Sequence, residues 1–347
     1  MRRYRIHSLI SVILIIGIIL TGCGGPISHT SEDYASGLRV HFIDVGQGDS
    51  TFIEFPNGKT SLIDAGTRGA GDRVVEYIND LGIDKIDYLI ATHPHEDHIG
   101  GLPEVIRNFD VNRVYMPEKT TNTLIFEELL LELENKDLTI HLAKGGDVII
   151  DGGKLKYSIL APNTDNYSGL NDFSIVTKIE YGYNSIIITG DAEKNSEREM
   201  VELGYDLAAD VLRIGHHGGK TSSMEEFLIA VDPDYSIISV GKGNTYGHPH
   251  RETLNRLQKI DSQIMRTDEL GDIILISDGK ELKWEENLGA GDSIKGQYIG
   301  NQNTKVFHHM NCKSLPKEGN RIIFESIEEA KQRGYRPHKV CIKEGGN

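Results

Sequence analysis

The sequence predicts an α/β fold in which two sheets are flanked by helices, followed by a small unit held together by metal. Three observations lead there. Across residues 38–284, short apolar runs rich in β-formers alternate with stretches of helical spacing. Several of these runs end in polar turns carrying histidine or aspartate, positions from which side chains point into a cleft. Beyond residue 298, two close His/Cys pairs stand in a stretch too short to bury much core.

The chain has 347 residues, enough for one large domain and a small one. The apolar share of 38% and charged share of 26% are ordinary for a globular protein. A formal net charge of −15 excludes a protein that coats nucleic acid through a broad basic face. It does not exclude a nuclease, because bound metal ions supply local positive charge. The three cysteines, Cys23, Cys312 and Cys341, define no disulfide framework on spacing alone.

Residues 1–20 read as a targeting segment, with Arg2, Arg3 and Arg5 before an apolar run over residues 9–20. A run of about 12 residues is short for a membrane span, which needs about 20, and suits a signal-peptide core. It ends in Leu20-Thr21-Gly22-Cys23, which resembles a bacterial lipobox. The resemblance implies cleavage before Cys23, lipidation on it, and an extracytoplasmic protein anchored to the bacterial membrane by its acyl chains. The alternative is an uncleaved N-terminal anchor. Residues 24–37 are a flexible tether of Gly, Ser, Thr and acidic residues.

The folded part begins near Leu38. Arg39-Val40-His41-Phe42-Ile43-Asp44-Val45 is a strand, and Gly46-Gln47-Gly48-Asp49-Ser50 turns tightly into a second over residues 51–55. Asn57-Gly58 marks a hairpin into a third strand that ends in Asp64-Ala65-Gly66. Residues 71–82 have helical spacing, with Val74, Val75, Tyr77, Ile78 and Leu81 inward. Ile86-Asp87-Tyr88-Leu89-Ile90-Ala91 is a buried strand.

Thr92-His93-Pro94-His95-Glu96-Asp97-His98-Ile99-Gly100-Gly101 follows, before a helix start at residues 102–106. It sets three imidazoles and the Asp97 carboxylate within six residues. His93 and His95 are two apart in extended chain, so their rings face one way. Asp97 and His98, at the bend, face a neighbouring point. This is the layout for two adjacent metal ions, with ligands suited to Zn²⁺ or Mn²⁺.

Val114-Tyr115 is a short strand, and residues 124–138 form an amphipathic helix whose Leu/Ile stripe reads as core. Residues 140–160 hold short strands broken by Gly145-Gly146 and Asp151-Gly152-Gly153. Asn171-Asp172-Phe173-Ser174 opens the second half. Ser185-Ile186-Ile187-Ile188-Thr189-Gly190-Asp191 is a buried strand ending in Gly-Asp. Val211-Leu212-Arg213-Ile214 feeds Gly215-His216-His217-Gly218-Gly219. Lys220, Thr221, Ser222 and Ser223 then stand at a helix N-terminus, a natural place for a phosphate oxygen. Tyr246-Gly247-His248-Pro249-His250 lies after a strand at residues 235–240. The last strands run from Ile273 to Trp284, and residues 285–297 are a linker.

His93, His95, Asp97 and His98 match His-x-His-x-Asp-His, and on that motif the chain resembles the metallo-β-lactamase superfamily. The resemblance implies a four-layer αββα sandwich with a hydrolytic metal site at the edges of two facing sheets. Asp44-Val45-Gly46-Gln47-Gly48-Asp49-Ser50, Asn171-Asp172-Phe173-Ser174 and Tyr246-Gly247-His248-Pro249-His250 are similar to the ComEC/Rec2 competence-protein subgroup. Carried over residue by residue, Asp64 is a structural support and Asp191 a carboxylate bridging both metals. One of His216 and His217 is the last ligand, and the other orients it or touches substrate. Neighbours on an extended strand point oppositely, so sequence leaves that choice open. Most members carry a further histidine near Asn171, but no His lies between His141 and His216. Asn171, Asp172 or Ser174 is then expected at metal, water or substrate, or the site binds one ion more weakly. His248 is expected at the transition state or leaving group, with metal ligation as the second option.

Residues 298–347 carry His308-x3-Cys312 and His338-x2-Cys341, two close pairs in the arrangement of a closed structural zinc site. The unit resembles the zinc module of the Ada DNA-repair protein with two cysteines replaced by histidine. Metal would supply most of its folding energy. The alternatives are an unmetallated tail or a Cys312–Cys341 disulfide, favoured outside the cytoplasm. The resemblance does not carry methyl transfer, because the reactive thiol position is His308.

These readings predict a metal-dependent hydrolase, a phosphodiesterase or nuclease acting on extracellular DNA or RNA. Paired divalent ions lower the pKa of bound water to near 7 and so supply hydroxide at neutral pH. Asp97 also orients the nucleophile, and Lys220 with Thr221 or Ser222 meets phosphate. One alternative is a phosphodiesterase on cell-wall or lipid head groups, as a phosphorylcholine esterase is. The other is a DNA-binding uptake protein with weak or no catalysis. Oligomeric state is not legible.

Overall fold

The computed structural model describes residues 37–285, 298–309, 312, 315–324 and 327–338. The expected signal peptide and lipobox with Cys23, most of the tether and linker, and Cys341 lie outside them.

Among the described residues, β1 (Leu38–Phe42), β2 (Thr51–Glu54), β3 (Thr60–Ile63), β4 (Lys85–Ile90), β5 (Asp110–Met116) and β6 (Ile140–Leu142) pair in sequence order to make most of one sheet. A second sheet follows the same rule, running from β7 (Val148–Gly152), β8 (Leu155–Ala161), β9 (Val176–Tyr181) and β10 (Asn184–Ile188) to β11 (Val211–Arg213), β12 (Tyr235–Ile238) and β13 (Gln263–Arg266). The chain then returns, and β14 (Ile273–Ser277) and β15 (Leu282–Glu285) extend the first sheet beyond β1. Each sheet is antiparallel where tight turns join its strands and parallel where helices cross over.

Alternation along the strands builds four layers. Ile53, Ile63, Ile186 and Ile188 point between the sheets, where they meet Phe42, Tyr157 and Ile179. Phe52, Leu62 and Leu89 point the other way, under α1 (Gly71–Asp80), α3 (Leu102–Asn108) and α4 (Leu124–Asn135). Ile187, Leu212 and Ile238 take α5 (Lys194–Glu202), α6 (Glu225–Val231) and α7 (Arg251–Lys259) through Met200, Phe227, Leu228 and Leu257. This is the αββα sandwich that the sequence predicts. In α4 the buried stripe is Ile125, Phe126, Leu129 and Leu133, while Leu124, Leu130 and Leu131 are exposed. That helix has more leucines than one face can bury. The first strand ends at Phe42, short of Val45. Asp44 breaks it: its amide donates to Asp272 Oδ1, and its own Oδ1 accepts the Gly46 amide as a local turn.

The histidine turn contains the single-turn α2 (Glu96–Ile99), which is laced to two other loops by backbone bonds. The Asp49 amide donates to Asp97 O at 3.0 Å, the Ala65 amide to His98 O at 2.8 Å, and the Gly101 amide to Gly66 O at 3.1 Å. Gly48, at φ +151°, and Gly101 allow this approach. A Cβ on Gly48 would stand 2.5 Å from Asp97 O, and one on Gly101 2.2 Å from Ala65 O.

The C-terminal unit is a sheet in the order β18 (Arg321–Phe324), β16 (Tyr298–Asn301), β17 (Val306–His309), β19 (Arg336–Pro337), with α9 (Ile327–Gln332). Its described core is Phe307, Phe324, Ala330 and Tyr335. So small a core leaves the unit dependent on another source of stability.

Gly101→Ala tests the lacing. Overpacking against a fixed carbonyl should cost about 1–3 kcal/mol in denaturant unfolding. An unchanged midpoint would show that the turn has room to spare.

Candidate metal centre

The carboxyl ends of the parallel strands β3, β4, β10 and β11 meet at one edge of the sandwich, the usual place for ligands in such sheets. They bring together Asp64, the histidine turn, Asp191 and the His216–His217 loop. His98 Nε2 lies 3.2 Å from Asp191 Oδ1, and both atoms are buried without a well-aligned hydrogen bond. His93 Nε2 is 3.9 Å from Asp191 Oδ2. His217 Nε2 is 3.2 Å from Asp97 Oδ2 and 3.7 Å from Asp191 Oδ1. His95 stands at the edge of the cluster, its Nδ1 2.9 Å from His93 Nε2. Donor pairs on one tetrahedral zinc lie about 3.3 Å apart, so these spacings fit divalent ions held by imidazole and carboxylate. Asp191 stands between them, its Oδ2 toward His93 and its Oδ1 toward His98 and His217.

Each buried ring presents Nε2 because Nδ1 is occupied. His98 Nδ1 donates to Asp64 Oδ2 at 2.7 Å, and His217 Nδ1 donates to Ser239 O at 3.0 Å. Thr92 Oγ1 donates to Asp64 Oδ2 at 2.6 Å and so accepts from His93 Nδ1 at 3.1 Å. Burial and the neighbouring His98 hold His93 well below the usual imidazole range, and burial lowers His95 too. Both are therefore neutral and ready to ligate. Burial would also lower His98, but Asp191 and Asp64 outweigh it and hold that ring well above its usual value. Burial alone would raise Asp97 and Asp191. The bond from His217 reverses this for Asp97, and the charges of His98 and His217 reverse it for Asp191, so both stay ionised.

The backbone sends the His216 and His217 rings to different places. Both residues have left-handed φ, 51° and 52°, so the chain turns here and does not extend as a strand. His217 enters the donor cluster. His216 turns to the mouth and meets Glu193 Oε1 at 2.9 Å. Burial lowers the His216 ring, but Glu193 raises it above the usual value.

Several expected substrate residues have other work. The Ser222 hydroxyl bonds Gly215 O at 2.7 Å and Gly219 O at 3.0 Å inside the loop. Ser174 Oγ accepts the Asp191 amide at 3.0 Å and positions that carboxylate. Asp172 caps α5, accepting the Glu193 and Ser196 amides, and stands outside the donor groups found among the described residues. Asn171 donates to Glu193 Oε1 at 3.3 Å, while its Oδ1 is buried without a partner. Thr221 Oγ1 donates to Glu193 Oε1 at 2.6 Å. The amides ahead of α6 do not await a phosphate: Glu197 takes those of Ser223 and Met224 at 2.5 and 2.9 Å. Burial pushes this carboxyl up to about 8. Lys220 remains exposed at the mouth, its amide donating to His250 Nδ1. Burial and the neighbouring histidines push His248 down to about 4, so it is a neutral ring at pH 7.

Arg213 is a residue that sequence reading passes over. It is wholly buried beneath the cluster, ion-paired to Asp49, with Nη1 donating to Gly190 O at 2.5 Å. Its signal was a lone charge inside the apolar run Val211-Leu212-Arg213-Ile214.

In the C-terminal unit, His308 Nδ1 and His338 Nδ1 lie 3.3 and 3.5 Å from Cys312 Sγ. Sulfur and nitrogen on one tetrahedral zinc are about 3.5 Å apart, so these three donors fit that ion. The expected fourth, Cys341, falls outside the described residues.

A four-layer sandwich with buried imidazoles and carboxylates gathered at its strand ends is the frame of a metal-dependent hydrolase. The chain belongs to the metallo-beta-lactamase superfamily, whose family model matches residues 43–242. The metal binding domain of Ada matches residues 289–344. Over 252 residues the chain is 34% identical to ComE operon protein 3 of Bacillus subtilis, covering 68% of this chain and 32% of that protein. It is 31% identical to Recombination protein 2 of Haemophilus influenzae, covering 68% and 28%. It is 24% identical to exodeoxyribonuclease WalJ of Streptococcus pneumoniae, covering 52% and 67%. The chain thus spans about a third of the length of the first two relatives. Its large domain is related to the ComEC/Rec2 competence type.

His217→Ala should lower the metal content of the purified protein measurably, while His216→Ala should leave it near the wild-type value. Elemental analysis after dialysis against Zn²⁺ or Mn²⁺ reads both, and the reverse order would reassign the ligand.

Proposed function

We propose that this protein is a phosphodiesterase of the nuclease kind, acting outside the cytoplasm on DNA or RNA from a lipid anchor at Cys23. The observation that carries the reaction class is the cluster of His93, His98, Asp191, Asp97 and His217, buried except for the part-exposed Asp97, with His98 Nε2 and Asp191 Oδ1 3.2 Å apart. The exodeoxyribonuclease among the relatives supports a nucleic-acid substrate.

His93, His95 and Asp191 would hold one ion, and Asp97, His98, Asp191 and His217 a second. Bound Zn²⁺ or Mn²⁺ would supply water ionised near neutral pH and positive charge for a phosphoryl oxygen. The chain's own groups do the rest. Asp97 keeps 30% of its side chain exposed and stays ionised, so it can accept a hydrogen bond from the attacking water and fix its direction. Neutral His248 offers a hydrogen bond at the mouth without a fixed charge. Exposed Lys220 meets a phosphate as a mobile cation. Asp64, Thr92 and Ser239 act by holding the ligating rings in one tautomer. The C-terminal unit would hold a structural zinc through His308, Cys312, His338 and Cys341.

The test is the full chain in detergent micelles, supplied with Zn²⁺ or Mn²⁺, against single- and double-stranded DNA, RNA and phosphorylcholine esters. Cleavage of a nucleic acid is expected, with a loss of at least about 100-fold for Asp97→Asn. Turnover confined to phosphorylcholine esters would replace this reading with a cell-surface esterase, and binding without turnover would replace it with an uptake protein. For the anchor, Cys23→Ser should abolish acylation of the protein in a palmitate-labelling experiment. Undiminished label would place the lipid elsewhere.

A further inference from the structure

A ladder of near-parallel rings leads from the donor cluster to solvent. His217 stacks on His248 with centroids 6.1 Å apart and planes 28° apart. His248 stacks on Tyr246 at 5.7 Å and 24°. Tyr246 ends the ladder with 64% of its surface exposed. An aromatic ring left in water contributes little to folding, since stabilisation follows the area removed from water.

The loop that presents this ring is held in place. Asn244 Nδ2 donates to Gly241 O at 3.0 Å and His248 O at 2.7 Å, and Asn244 Oδ1 accepts the His248 amide at 3.0 Å. The Gly241 amide donates to Gln47 Oε1 at 3.2 Å, which ties the loop to the turn after β1. The backbone that carries the ring is therefore held in place, which lowers the ordering cost of a partner.

Charge alone gives nucleic acid a weak grip here. The chain carries −15, and the cations beside this loop are the exposed Lys220, Lys242 and Arg251. Stacking on an aromatic ring supplies affinity without charge, and it accepts any base because every base has a π-face. Bases inside a duplex are already stacked on both sides, so only an unpaired base can reach a protruding ring.

We propose that Tyr246 is a nucleobase subsite: one unpaired base of a single strand continues the His217–His248–Tyr246 ladder, on the same strand as the phosphate at the donor cluster. The site then selects single-stranded DNA or RNA. This rests on the nuclease reading above.

Two single-stranded oligonucleotides separate the two claims, one with bases throughout and one with a central run of tetrahydrofuran residues in their place. The holoenzyme should prefer the first in kcat/KM. Tyr246→Ala should shrink that preference about 5- to 150-fold, the range that base–aromatic stacking supplies, and Tyr246→Trp should keep it. A second readout needs no turnover. A phosphorothioate oligonucleotide carrying 2-aminopurine should lose fluorescence on binding wild type, and Tyr246→Ala should abolish the quench. An unchanged preference and an unchanged quench in Tyr246→Ala would overturn the subsite and leave the nuclease reading standing. If wild type neither cleaves nor binds either oligonucleotide, the nuclease reading falls and the subsite with it.

Discussion

Asp64 is a fully buried carboxylate, and burying such a charge without partners costs several kcal/mol. The fold answers with three donors on one side chain: the Thr92 amide, the Thr92 hydroxyl and His98 Nδ1. Every one of them comes from the histidine turn. The need to satisfy this carboxylate therefore clamps the end of β3 to the turn after β4 and fixes the tautomers of His98 and, through Thr92, His93. Burial still raises the Asp64 carboxyl, against the pull of His98.

Arg213 does the corresponding work for the second sheet. Asp49, Asp64, Asp97 and Asp191 put four carboxylates around one small volume, and Arg213 is the buried guanidinium among them. It links Asp49 from the first sheet to Gly190, the residue before Asp191, and reaches toward Ser239, whose carbonyl orients His217. A planar fork with several donors can tie three backbone segments in one geometry, which a lysine cannot. The ligands of the two sheets are held by hydrogen bonds that run across the sandwich edge.

The two metal clusters use ligands for different ends. In the large domain, three hydrophobic clusters already account for the fold, so the donors are free to be arranged for chemistry. In the C-terminal unit the described core is four residues, and His308, Cys312 and His338 converge where more core would otherwise be needed.

The sequence by itself determined the layer pattern and most of the donors. Ile86-Asp87-Tyr88-Leu89-Ile90-Ala91 and Ser185-Ile186-Ile187-Ile188 are legible as buried strands because they are short, apolar and rich in β-formers. The histidine turn was legible because its ligands are close in the chain. What needed tertiary structure was every choice set by partners distant in sequence. Two left-handed residues and the Ser239 carbonyl, 22 residues away, put the His217 ring among the donors and leave His216 at the mouth. Ser222 and Ser174, expected at substrate, bond backbone groups that only folding brings near. The helix start expected to take phosphate had been filled by Glu197, 26 residues earlier. The surroundings of Arg213 and Tyr246 were hidden for the same reason: a lone charge in an apolar run and a tyrosine in a short phrase acquire their meaning from what surrounds them in space, and adjacency along the chain does not report it.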